Sequence, residues 1–70
     1  MKNMLDVQRL LKRFGAFIYT GDRLGDMELM QEELTELYKS QLIDAEEYQL
    51  AKIILMREAR QWKAKNEPEN

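Results

Sequence analysis

The sequence predicts an all-α fold: a small three-helix bundle in which a short helix 1 precedes long helices 2 and 3, paired as an antiparallel hairpin. Three observations carry this. Apolar residues recur at spacings of three and four in three separate stretches. Each stretch opens on Asn or Asp, residue types that cap helix N-termini. The links between stretches are short, which makes neighbouring helices antiparallel. With 44% apolar and 34% charged residues, the chain has globular composition. One domain is expected over residues 1–65, followed by a disordered polar tail over 66–70.

Helix 1 is predicted over about 4–14, where Met4, Val7, Leu10, Leu11 and Phe14 recur at helical spacing. Asn3 is its N-cap, with Asp6 near the positive helix end. Gly15 follows the last periodic residue, a signal for the left-handed position that ends helices. Residues 16–21 then interrupt the pattern. Phe17, Ile18 and Tyr19 favour strands, but no second strand exists to pair with them. An extended loop is expected, with Phe17 or Ile18 tucked under the bundle and Gly21 at positive φ.

Helix 2 is predicted over about 23–40. Asp22 is its expected cap, with Thr20 competing. Met27, Met30, Leu34 and Leu37 form the stripe, with Leu24 one turn earlier. Glu28, Glu32 and Glu36 line another face. Gly25 weakens the first turn by about 1 kcal/mol relative to alanine.

Helix 3 is predicted over about 45–63. Asp44 and Glu47 have capping-box spacing, and Ile43 and Tyr48 are placed as a hydrophobic staple. Tyr48, Ala51, Leu55, Ala59 and Trp62 form the expected buried stripe, which Leu50 and Ile54 widen to nearly half the circumference. So wide a strip touches two neighbours or leaves apolar surface for a partner. Leu50, Ile53 and Ile54 are therefore the candidate protein-interaction residues.

The charges are unevenly spread. Residues 1–23 hold five basic and two acidic side chains, residues 24–47 one and eight, and residues 48–70 five and three. An acidic block thus lies between two basic ones. The plainer reading is attraction between neighbouring helices. The sharper one is a basic surface on helix 1 or helix 3 that meets an anion.

The run Phe17-Ile18-Tyr19-Thr20-Gly21-Asp22-Arg23, followed by Glu28-Leu29-Met30, Glu33-Leu34, Glu36-Leu37-Tyr38, Ser40 and Glu47-Tyr48, resembles the YqgQ-like small bacterial proteins. The likeness runs from about Asp6 to Ala59. It implies a compact three-helix domain in a bacterial cytosol. It brings no catalytic residue with it.

Composition excludes most chemistry. The chain has no cysteine and no histidine, so thiol and imidazole catalysis, disulfides and zinc sites are absent. No phosphate-binding glycine loop is present. Asp22 with Asp26, and Glu28 with Glu32 and Glu36, have the spacing of carboxylate ligands, but such rows are most often solvated faces. No enzyme, metal or cofactor is expected. The longest apolar run is Ile53 to Met56, far short of the ~18 residues of a membrane span. A cytoplasmic location follows.

One feature has a concrete functional reading. Lys2, Arg9, Lys12 and Arg13 share the face of helix 1 opposite its apolar stripe, and Phe17, Tyr19 and Arg23 follow closely. Cations beside aromatics that stack on bases form the arrangement of single-strand binders. The expected function is a non-enzymatic binding module for single-stranded nucleic acid. The alternative is a protein adaptor that uses the strip of helix 3. Either is expected as a monomer or weak homo-oligomer. Tyr38, Tyr19 and Trp62 also admit the plainer reading of aromatics that seal the bundle's edges.

Overall fold

The computed structural model describes residues 1–66. These residues fold into three helices, α1 (Met4–Arg13), α2 (Arg23–Lys39) and α3 (Ala45–Asn66). It is an all-α three-helix bundle. Contacts that join the start of α2 to the later part of α3, and the end of α2 to the start of α3, make that pair an antiparallel hairpin. Arg23 Nη2 lies 3.3 Å from Glu58 Oε2. The hydroxyls of Thr35 and Tyr48 are hydrogen-bonded at 3.1 Å. The rings of Tyr38 and Tyr48 stack with centroids 4.6 Å apart and planes 3° from parallel.

The core follows the apolar stripes. Val7, Leu10 and Leu11 come from α1, Met27, Met30, Leu34 and Leu37 from α2, and Ala51, Ile54 and Leu55 from α3. Met4 at the start of α1 and Ile43 in the link between α2 and α3 complete the cluster. Val7 and Leu34 have no solvent exposure. Ile54 is buried at 7% exposure. This corrects its expected place on a surface strip: the half-circumference stripe turns Ile54 inward and leaves Leu50 and Ile53 outside.

Local chemistry sets the helix ends. Asn3 and Asp6 form a capping box, with the Asp6 amide donating to Asn3 Oδ1 at 3.1 Å and the Asn3 amide to Asp6 Oδ2 at 3.3 Å. The Lys2 amide adds a third bond at 2.7 Å and is the chief reason the Asp6 carboxyl sits below its ordinary range. Asp44 and Glu47 exchange the same pair of bonds, at 2.7 and 3.2 Å. α1 ends in a Schellman motif: Gly15 has φ +83°, its amide reaches Lys12 O, and the Ala16 amide reaches Leu11 O.

α2 ends in the same motif without a glycine. The Gln41 amide donates to Tyr38 O and the Leu42 amide to Leu37 O, both at 2.9 Å. Gln41 takes the left-handed position at φ 62°. No sequence signal marked this point. The two carbonyl bonds and the buried Ile43 beyond them hold a side-chain-bearing residue where glycine is preferred.

Two sequence expectations shift at the C-terminal end. α3 continues past residue 63 to Asn66, whose side-chain Nδ2 donates to Trp62 O at 2.9 Å. Asn66 therefore belongs to the helix; the rest of the expected tail, 67–70, lies outside the described residues. Trp62 is on the rim, not in the buried stripe. At 22 residues α3 outruns the 17-residue α2 and the 10-residue α1. Every residue from Arg60 to Asn66 is exposed.

Replacing the fully buried Leu34 by alanine will destabilise the fold by about 2–5 kcal/mol, read by chemical denaturation. Gln41→Gly will stabilise it by about 1 kcal/mol, because glycine occupies the left-handed position without strain. The same denaturation curves check it.

Candidate functional site

The turn at Gly15 sends the chain alongside α1. From Ala16 to Tyr19 burial alternates: Ala16 and Ile18 face the core, while Phe17 and Tyr19 face out. This is the two-residue period of extended backbone. Ile18 is thus the residue that tucks under the bundle. Phe17 and Tyr19 stand on one side, 77% and 79% exposed.

Between this segment and α1 lies an open groove of about 340 Å³. Leu11, Ile18 and Met30 contribute apolar lining from the core side, and Leu5, Gln8, Arg9, Lys12, Ala16, Phe17 and Tyr19 complete it. Of the basic face read from the sequence, Arg9 and Lys12 reach the groove. Lys2 and Arg13 are exposed but do not line it; the Arg13 guanidinium lies 5.8 Å from the Phe14 ring centre. Arg23 is engaged with Glu58, an ion pair whose partly exposed ends make it worth at most about 1 kcal/mol. It lines a neighbouring hollow of about 250 Å³ together with Tyr19, Asp26 and Trp62. Tyr19 is shared by both depressions.

Asp26, weighed from the sequence only as a carboxylate ligand beside Asp22, has a role that sequence reasoning missed. Its carboxylate is 5% exposed and is the one buried charged side chain among the described residues. It accepts the Thr20 amide at 3.0 Å and the Thr20 hydroxyl. The Thr20 hydroxyl bond is the main reason the Asp26 carboxyl titrates below its ordinary range, with the Thr20 and Gly21 amides and Arg23 adding to it against the opposing effect of burial. Asp26 therefore fixes Thr20, and through it the adjoining Tyr19.

Asp22 holds the N-cap position of α2, yet its side chain makes no cap bond. Its carboxylate lies against Gly25, where an added Cβ would stand 2.6 Å from Oδ2. Gly25 thus has a spatial role that offsets its low helix propensity. The loop is tied down from the first turn of α2 by Asp26, not from the cap by Asp22 or Thr20.

The remaining candidates scatter. Tyr38 is stacked on Tyr48, 4.6 Å between centroids, and stands apart from the groove. Leu50 and Ile53 are exposed on α3. Among the described residues no three carboxylates converge as metal ligands would. No helix among them is long and apolar enough to cross a membrane.

The family model described as YqgQ-like matches residues 1–61, most of the chain. The chain belongs to the YqgQ-like family. It is similar to the uncharacterized protein YqgQ of Bacillus subtilis (strain 168), at 43% identity over 63 residues that cover 90% of this chain and 89% of that one. The resemblance carried by the run from Phe17 to Arg23 is thus shown. In this family member that run contains both exposed aromatics of the groove and the threonine that Asp26 holds.

The Asp26 shift has a testable sign. A carboxylate with a depressed folded pKa stabilises the fold above its unfolded value, and that contribution is lost as pH falls through the folded value. Stability will therefore decline below the ordinary aspartate value of 3.8. Asp26→Asn will shrink that decline, as measured by thermal unfolding across pH 2–6.

Proposed function

We propose that this chain is a small, non-enzymatic cytoplasmic module that binds single-stranded nucleic acid along the groove between α1 and residues 16–20. One observation carries the reading: two outward aromatics two residues apart, Phe17 and Tyr19, share a groove with two cations, Arg9 and Lys12. Neither cation has an ion-pair partner among the described residues. The rings offer faces on which bases stack, and the cations meet phosphates, which is how sequence-tolerant single-strand binders work.

Single strands suit this surface better than duplexes. Exposed base faces are what the rings accept, and a duplex hides them. A net charge of −2 and the exposed Glu28, Glu32 and Glu36 of α2 confine the attraction to the α1 side. The contact is short and the affinity modest. The adaptor reading rests on a smaller surface than the sequence suggested, because Ile54 is in the core and only Leu50 and Ile53 of the three remain outside.

Binding to a fluorescently labelled oligonucleotide tests this. Two phosphate contacts give a log-log salt slope of about −1.4, or about sevenfold weaker binding at 200 than at 50 mM salt. Arg9→Ala or Lys12→Ala will each flatten the slope by about 0.7, while Arg13→Ala will leave it unchanged. Tyr19→Ala will cost about 1–3 kcal/mol with the slope retained, because stacking releases no counterions. Absence of binding at 50 mM salt would overturn the reading.

A further inference from the structure

The face of α3 turned away from the core carries an order of residues that suits a second copy of itself. Glu46, Leu50, Ile53, Arg57 and Arg60 follow one another at spacings of four, three, four and three, the seam of a helix pair. All five are exposed, Ile53 at 48%. Met56, exposed at 53%, flanks the seam. The apolar residues lie in the middle, with an acid at the N-terminal end and two bases at the C-terminal end. None of these charges has an ion-pair partner among the described residues.

We propose that this face is a homodimer interface in which two α3 helices pair antiparallel about a two-fold axis between Leu50 and Ile53. Each Leu50 then opposes the second copy's Ile53, and each Glu46 opposes the second copy's Arg57, with Arg60 one turn beyond. The axis repeats both contacts, as an isologous interface requires. A parallel pair would set Glu46 on Glu46 and Arg57 on Arg57, so the charges choose the antiparallel one. The occupant is a second copy and not an unrelated helix, because the charge order is complementary to its own reverse.

The apolar patch is small, which makes the dimer weak and reversible. The face lies opposite the core, so both grooves stay open in the pair. The inference stands without the nucleic-acid reading.

Sedimentation of the intact chain from about 10 μM to about 1 mM tests it. Expected is a monomer–dimer equilibrium. Ile53→Lys will give a monomer throughout, with unchanged helical circular dichroism. Glu46→Arg alone and Arg57→Glu alone will each weaken the dimer about tenfold or more, a change of about 1.4 kcal/mol. The double reversal, Glu46→Arg with Arg57→Glu, will restore it. A monomer at every concentration, a dimer indifferent to Ile53→Lys, or a double reversal that does not recover would each overturn the proposal.

Discussion

The bonds from the Thr20 amide and hydroxyl to the Asp26 carboxylate decide how the first third of this chain is placed. α1 has 10 residues, too few to persist as an isolated helix in water. It is held by its apolar stripe on the hairpin and by the segment that leads from it into α2. That segment has no strand partner, so its backbone polar groups must be satisfied one by one. Asp26 satisfies the amide and the hydroxyl of Thr20 from the first turn of a stable helix. With that end fixed and the Schellman turn at Gly15 fixing the other, the residues between have two sides, and Ile18 and Tyr19 take opposite ones.

The fold was largely legible because its signals are local. Asn3, Gly15, Asp44 and Glu47 act through bonds to residues three to five positions away, and such pairs can be read from spacing alone. What was not legible depends on distance or on a shared environment. Asp22 and Asp26 look alike in the sequence; only the path of the loop decides which carboxylate meets Thr20. Ile53 and Ile54 are adjacent on a wide stripe, and the packing of α1 and α2 sets the phase between them. Gln41 shows that a left-handed position can be filled without glycine when flanking bonds hold it. Trp62 was misplaced because helical periodicity says nothing of where a partner helix stops.

The candidate site was legible in kind but not in extent. A helical projection places Lys2, Arg9, Lys12 and Arg13 on one side, but a projection carries no information on where the following loop lies. Only Arg9 and Lys12 are beside it. Arg23 found Glu58, 35 residues away in sequence, a pairing no local rule anticipates. The alternating charge blocks suggested helices drawn together by opposite sign, but the one ion pair among the described residues, Arg23 with Glu58, joins the two basic blocks and uses no side chain of the acidic one. Cohesion therefore comes from the apolar cluster around Leu34, and most charges remain available to solvent.

The overhang of α3 has a spectroscopic consequence. Trp62 is the chain's one tryptophan, and it stands at the rim beside the hollow that Tyr19 also lines. It is 37% exposed in the folded protein, so its emission reports how far this rim shields it. It will respond to whatever alters the neighbourhood of Tyr19. Nature has in effect placed the intrinsic fluorophore of this protein where it reports on the neighbourhood of the loop.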